Sequence, residues 1–144
     1  MTRSGNTQFA VAQADPDIGY IIDAPYEGAP LIITFGFVDW VELPKFDLVG
    51  RLLKLGAATG QPLNLILVRD TANFWYQHGV TGLGRDVDTV AESLRRIIAD
   101  LRPSSVCTVG QSMGGYAAIL FGVLLRVDQV LAFGPLSYLR ADWA

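Results

Sequence analysis

The chain has 144 residues, of which 51% are hydrophobic and 17% charged, and its formal net charge is −3. This composition excludes a disordered chain and predicts a single domain with a buried core. Without runs of Lys or Arg we expect no nucleic-acid partner, and no stretch approaches the roughly 20 apolar residues of a membrane span. The N-terminal stretch carries no secretory signal, so we expect a cytoplasmic protein. The single cysteine, Cys107, excludes an internal disulfide and a zinc cluster, and we expect neither a metal nor a cofactor.

The first half of the chain alternates between apolar runs and a helical pattern. Residues 19–25 (GYIIDAP) and 31–37 (LIITFGF) predict two short buried strands. A helix is predicted over residues 45–58, whose apolar side is formed by Leu48, Val49, Leu52, Leu53 and Leu55. Residues 63–70 (LNLILVRD) predict a third buried strand, because the run is short and rich in branched residues. A loop follows over residues 71–84.

The second half continues the alternation and contains the clearest helix. Residues 85–103 predict a helix with Asp86 and Asp88 in its first turn, and the apolar positions that carry the pattern are Val87, Val90, Ala91, Leu94, Ile97, Ile98 and Leu101. A strand (SVCTVG), a helix (MGGYAAILFGVLL) and a further strand (DQVLAFGP) come after it. This order predicts an α/β fold: a three-layer α/β/α sandwich with a mostly parallel sheet, formed by one domain over residues 1–144.

One motif carries chemistry. Gly110, Ser112 and Gly114 form G-x-S-x-G directly after a predicted strand and directly before a predicted helix. That context is the one a nucleophile elbow requires, in which a strained serine backbone projects the hydroxyl above the sheet. Glycines flank the serine because a Cβ at those positions would collide with the neighbouring strand or helix. The motif therefore indicates a nucleophilic serine.

With this motif and the element order over residues 18–135, the chain resembles the N-terminal part of an α/β-hydrolase, with GQSMGG as its elbow. The resemblance implies that Ser112 is the nucleophile and that the backbone N–H of Met113 is one oxyanion donor. It places the second donor in the loop after LIITF, where many members carry His-Gly and this chain has Phe35-Gly36-Phe37. We assign that donor to the N–H of Phe37, with Gly36 allowing close approach.

The base that would activate Ser112 is not evident. The resemblance implies the order Ser, acid, His, yet the only histidine, His78, precedes Ser112. Three explanations stay open: the chain is a fragment of a longer hydrolase truncated after its last predicted strand, His78 serves as an unusual base, or the fold is a degenerate member used for binding. We favour the first, so we expect the 144 residues alone to be inactive and to expose a sheet edge open to self-association. Asp142 is then a candidate triad acid.

The candidate pocket residues lie around this serine. Gln111 precedes it, while Trp75, Tyr76 and His78 lie in a loop predicted at the same rim of the sheet. Asp70 ends a strand at that rim, and we interpret it as the cap of the following turn. The chain also resembles bacterial hydrolase-fold proteins that handle acyl groups of surface polysaccharides. The resemblance implies ester hydrolysis or acyl transfer through an acyl-serine, on a small-molecule or saccharide ester.

Overall fold

The computed structural model describes residues 3–140, with side chains from Phe9 onward, as four helices and five strands. Their order is α1 (Arg3–Ala14), β1 (Tyr20–Asp23), β2 (Leu31–Phe35), α2 (Val49–Thr59), β3 (Asn64–Val68), α3 (Val87–Leu101), β4 (Val106–Gln111), α4 (Met113–Leu125) and β5 (Gln129–Phe133). Between residues 3 and 140, no helix has the length and apolar character needed to cross a membrane.

The five strands form one sheet in the order β1-β3-β2-β4-β5. β1 runs antiparallel to β3, while β3, β2, β4 and β5 are parallel to one another. The predicted α/β class and the mostly parallel sheet are therefore confirmed. β1 was expected to be buried, but three of its residues are only partly buried and Ile22 is exposed, because the strand lies at an edge of the sheet.

Helices cover the two faces of the sheet unequally. On the α3–α4 face, α3 and α4 bury the alternate strand residues Leu31, Ile33, Phe35, Ile66, Val68 and Val106. On the α1–α2 face, a smaller cluster joins α1 and α2 to the strand residues Leu65, Leu67, Ile21 and Ile32. Seven residues of α4 are fully buried and none of α2 is. The larger core thus lies on the α3–α4 face.

α3 is two residues shorter at each end than the predicted helix over residues 85–103, and Asp86, expected in its first turn, is its N-cap. The Asp86 carboxylate accepts from the Thr89 N–H at 2.8 Å, and the Thr89 hydroxyl accepts in return from the Asp86 N–H at 3.2 Å. This capping box satisfies donors that have no partner within the helix. The N–H and hydroxyl of Thr89 also lower the pKa of the Asp86 carboxyl.

α2 begins four residues later than the pattern over residues 45–58 predicts. Residues distant in sequence hold the segment before α2. The Phe46 N–H donates to the Gln13 side-chain oxygen, and the Pro44 carbonyl accepts from Arg69 at 3.0 Å. Leu48 then adopts a left-handed conformation with φ 63°. Tertiary hydrogen bonds therefore replace the expected first helical turn.

Helix α1 was not predicted, and a buried arginine anchors its end. The guanidinium of Arg69 is fully buried and donates to five backbone carbonyls, those of Ala12, Gln13, Asp15, Ile18 and Pro44. Burial lowers the pKa of Arg69, and Asp15 opposes that shift. These bonds satisfy orphan carbonyls at the end of α1 and fasten the helix to the end of β3.

Candidate active site

The connections after β2 and β4 diverge at the carboxyl edge of the sheet. The two strands are parallel neighbours, and Phe35 at the end of β2 pairs with Gly110 of β4. The chain leaves β2 towards α2 on one face and leaves β4 towards α4 on the other. Such a topological switch point opens a crevice outside the strand ends, where open α/β sheets bind ligands. Ser112 and residues 35–37 both lie at this point.

Ser112 is the single residue that joins β4 to α4. Its backbone has φ 51° and ψ −121°, a left-handed conformation that non-glycine residues seldom adopt. The Ser112 N–H donates to the Phe133 carbonyl at 2.9 Å, and the Ser112 carbonyl accepts from the Tyr116 N–H at 3.0 Å. The side chain is exposed and makes no capping hydrogen bond. The expected strained backbone is confirmed, and the side chain is exposed at the strand–helix junction.

The glycines around Ser112 are required by close backbone contacts. A Cβ on Gly110 would overlap the Gly114 carbonyl, and a Cβ on Gly114 would overlap the Phe35 carbonyl. A Cβ on Gly36 would lie 2.5 Å from the Lys45 carbonyl oxygen. Distances under about 3 Å exclude a side chain, so the expected collisions are confirmed. These glycines bring α4 onto the end of β2.

Two backbone amides at this junction lack acceptors. Within residues 3–140, no hydrogen-bond acceptor is found for the N–H of Met113 or for the N–H of Phe37. Met113 opens α4, and the N–H groups of a first helical turn have no partner within the helix. Phe37 follows Gly36, whose own N–H donates to the Val68 carbonyl at 2.8 Å. The segments that follow β2 and β4 thus each include a backbone N–H without an acceptor.

The loop after β3 is held in an unusual conformation by Asp70. The carboxylate of Asp70 is buried and accepts from three backbone N–H groups, those of Ala72, Phe74 and Tyr76, at 3.0, 2.7 and 2.9 Å. Three non-glycine residues in this loop have positive φ, namely Asn73, Trp75 and Tyr76. Asp70 is thus a loop cap, as we interpreted it, and it stabilises backbone strain of the kind that clusters at functional sites.

This loop packs against the first turns of α4. The Trp75 ring meets the Tyr116 ring edge to face at 5.8 Å, and the Gln77 amide donates to the Tyr116 hydroxyl at 3.2 Å. Burial raises the pKa of Tyr116, so the hydroxyl stays protonated at neutral pH. Tyr116 lies one helical turn after Ser112, and its N–H donates to the Ser112 carbonyl, so Trp75 and Gln77 contact a residue bonded to the serine backbone. Sequence reasoning missed Tyr116, although its spacing of four from Ser112 was a usable signal.

Two other predicted pocket residues lie elsewhere. Tyr76 is fully buried in the core between Phe35 and Phe121, so its side chain lines no open pocket. His78 is exposed, stacks on Phe74 at 4.0 Å and borders an open cleft formed with residues 80–85. Tyr76 lies within the part of the loop that has positive φ angles, at Asn73, Trp75 and Tyr76.

Gln111 borders a separate apolar groove. Its side-chain amide donates to the Asp47 carboxylate at 3.0 Å, and both residues line this groove. The groove has a volume of about 710 Å³ and lies between α2 and the two last strands, where Leu131 and Phe133 are 51% and 58% exposed. Because α1 and α2 do not reach β5, this part of the sheet stays uncovered.

The general base is not found beside Ser112. Within the described residues, neither a histidine nor a carboxylate makes a hydrogen bond to the Ser112 hydroxyl. Among residues 3–140, no carboxylate pairs with His78 to orient its ring. Asp142 lies outside the described residues. The described residues therefore bring together Ser112 and two unpaired amides, without a histidine or carboxylate bonded to the serine hydroxyl.

No protein-family model, curated protein or solved structure matches the chain. The chemistry assigned to the site therefore depends on its geometry: a serine with a left-handed backbone, two unpaired amides and a switch point between β2 and β4.

Proposed function

We propose that the chain belongs to the α/β-hydrolases and that Ser112 is the nucleophile of an esterase or acyltransferase. One observation carries the proposal: an exposed serine with a left-handed backbone joins a parallel strand to a helix beside two unpaired amides. A helix cap alone needs neither feature, because an ordinary N-cap has an extended backbone and bonds its side chain to the first turn. Ser112 does neither.

The reaction follows from these groups. The Ser112 oxygen attacks the ester carbonyl carbon while a base takes its proton, and the carbonyl oxygen becomes an oxyanion. The N–H groups of Met113 and Phe37 stabilise this charge, by about 3 to 4 kcal/mol for each well-placed donor. The oxyanion collapses, the alcohol leaves with a proton from the base, and water or a second alcohol then releases the acyl group from Ser112.

We further propose that this base comes from outside these 144 residues. His78 stacks flat on Phe74 at 4.0 Å, and in the described part of the chain it bonds no carboxylate that would orient it. A triad histidine needs such a partner to hold its tautomer. The stacked ring instead supports a structural role for His78 in the loop.

We propose that the substrate is a saccharide ester. Trp75 and Tyr116 present an aromatic corner one helical turn from Ser112, and Gln77 adds an amide beside it. Aromatic faces bind the apolar faces of sugar rings while amides bond their hydroxyls, so the corner suits such a substrate. Acyl groups of surface polysaccharides are the class we propose.

The nucleophile is tested with a fluorophosphonate. The Ser112 oxygen bonds to phosphorus, fluoride leaves and the serine proton passes to solvent. We expect slow labelling that accelerates at alkaline pH, because hydroxide replaces the missing base, and mass spectrometry of peptides should place the adduct on Ser112. Ser112→Ala should abolish labelling, while Ser104→Ala, which removes another exposed serine, should not change it.

The outcomes separate the alternatives. Labelling that persists in Ser112→Ala contradicts the nucleophile assignment. Labelling that requires Ser112 and is also lost in His78→Ala identifies His78 as the base and contradicts only our placement of the base. A wild-type chain that stays unlabelled favours the degenerate member whose fold serves binding.

We also propose that β5 pairs with β5 of a second copy. Because the Phe133 carbonyl bonds towards β4, strand alternation places the backbone groups of Val130 and Ala132 at the open edge. With a two-fold axis at Leu131, Val130 of one copy faces Ala132 of the other, and N–H···O=C bonds form in both directions. The strand carries no charge or proline, the usual protections of an edge.

A further inference from the structure

We propose that Tyr76 is a positioning residue of the oxyanion hole: its hydroxyl fixes the peptide whose N–H, that of Phe37, receives the negative charge. The inference rests on the proposed function of Ser112. Tyr76 was expected at the pocket surface, but it is buried beneath that surface and reaches the site from inside the core.

The link is one hydrogen bond to one peptide group. The Tyr76 hydroxyl donates to the Gly36 carbonyl oxygen at 2.8 Å, and no other donor to that oxygen is found in residues 3–140. The Gly36 carbonyl and the Phe37 N–H belong to the same peptide, which is trans. In a trans peptide these two groups point in opposite directions. A bond that holds the carbonyl towards the core therefore holds the N–H away from it.

Gly36 needs such a restraint. The Gly36 carbonyl is the first on β2 beyond the paired strand residues, and glycine permits a wide range of backbone conformations. Without a donor on its carbonyl, the peptide between Gly36 and Phe37 is free to rotate, and the amide leaves its position. An oxyanion donor is effective only when it is oriented before the reaction begins.

Tyr76 is itself fixed from three sides. Its N–H donates to the Asp70 carboxylate at 2.9 Å, and its backbone has φ 60°, a strained conformation that only a rigid surrounding maintains. Its ring packs edge to face on Phe35 at 5.7 Å and on Phe121 at 6.2 Å. Burial raises the pKa of Tyr76 well above its ordinary value, so the hydroxyl remains a donor across the neutral range.

The strained loop after β3 thus positions a residue of the proposed site. Asp70 orders the loop, the loop places the Tyr76 ring under the end of β2, and the hydroxyl orients the Gly36 peptide. The same loop places Trp75 and Gln77 against Tyr116 on the outer side of α4. One rigid segment therefore serves both the oxyanion hole and the wall beside Ser112.

The test uses butylboronic acid at mildly alkaline pH, where buffer takes the serine proton in place of the missing base. The Ser112 oxygen gives an electron pair to boron, its proton passes to buffer, and the tetrahedral boronate places a hydroxyl at the oxyanion position. Affinity is measured by the boron NMR signal of the tetrahedral species in wild type, Tyr76→Phe and Ser112→Ala. Amide proton shifts of Phe37 and Met113 are followed in the same titrations.

Thr108→Val is the matched control. The Thr108 hydroxyl is fully buried and donates to the Ala118 carbonyl at 2.8 Å, so its removal costs the same kind of bond without touching the Gly36 peptide. We expect Tyr76→Phe to weaken boronate binding by about tenfold, and Thr108→Val to leave it unchanged. The Phe37 amide should shift on binding in wild type and much less in Tyr76→Phe, while Met113 shifts in both.

Each outcome decides one question. Equal affinity and an equal Phe37 shift in wild type and Tyr76→Phe overturn the role of Tyr76 and leave the nucleophile assignment intact. A wild-type chain that forms no boronate adduct dependent on Ser112 overturns the proposed function and this inference together. If Tyr76→Phe does not fold, a wild-type titration in which Met113 shifts and Phe37 does not removes Phe37 from the hole and overturns the inference.

Discussion

The two faces of the sheet differ in how closely the helices pack against them. On the α3–α4 face the helices bury ten residues in total, and α4 lies so close to β2 that only glycine fits at Gly114. On the α1–α2 face, α2 has no fully buried residue, and a groove of about 710 Å³ separates it from β5. Ser112 lies where the tight side begins, directly before α4. Precise placement of backbone groups therefore comes from the tight face, while the loose face leaves the side chains of Leu131 and Phe133 exposed.

The largest expected difference between the faces is for glycine substitutions. Gly114→Ala places a Cβ on the Phe35 carbonyl, inside the paired sheet, and should cost at least about 3 kcal/mol or prevent folding. Gly50→Ala in α2 meets nothing within 4 Å and should stabilise the helix by about 0.5 to 1 kcal/mol. Urea unfolding of both variants measures the difference. Equal effects of the two substitutions would contradict the comparison.

A pair of leucine truncations tests the same comparison in the helix interfaces. Leu94 of α3 is fully buried, and Leu94→Ala should lower the free energy of unfolding by about 2 to 5 kcal/mol. Leu53 of α2 is only partly buried, and Leu53→Ala should cost under about 2 kcal/mol. Urea unfolding gives both values from the shift in the midpoint, when the slope of the free energy of unfolding against urea concentration is unchanged. A larger loss for Leu53→Ala would show that the α1–α2 face is the better packed one.

The residues that cap α2 and α3 predict different responses to pH, because Leu48 before α2 does not titrate and Asp86 before α3 does. Folding lowers the pKa of the Asp86 carboxyl, so the charged cap stabilises α3 at pH values above the ordinary carboxyl pKa of 3.8. That stabilisation is lost as the pH falls through the lowered value. Asp86→Asn keeps a capping oxygen but does not titrate. We expect the melting temperature of wild type to fall more steeply than that of Asp86→Asn below about pH 4. Parallel curves would contradict the cap.

The smallest effect on stability is expected at the open edge, where association is the readout. Leu131→Lys places like charges opposite each other across the proposed two-fold axis and should convert a dimer to monomer in sedimentation velocity. Leu55→Lys is the matched control, because Leu55 is 52% exposed and Leu131 is 51% exposed on the same groove. Loss of the dimer in both variants, or in neither, would place the contact elsewhere.

Much of the scaffold was predictable from local patterns. The helix over Val87–Leu101 follows from its apolar spacing and its capping residues, and the helix over Met113–Leu125 follows from the glycines and small residues after Ser112. The segment before Val49 was not predictable, because its conformation depends on bonds to Gln13 and Arg69. Such distant partners leave no periodic signal in the sequence.

The candidate site divides in the same way. G-x-S-x-G after a strand determined the position of the serine, since the motif is local and its backbone strain needs the adjacent glycines. Only the tertiary structure decided that Tyr76 points into the core, that Trp75 and Gln77 meet Tyr116, and that the Gly36 carbonyl has a hydroxyl donor. The physical reason is that these side-chain directions depend on positive φ angles in the loop that the Asp70 carboxylate holds, and Trp75 and Tyr76 are residue types that carry no sequence signal for that conformation.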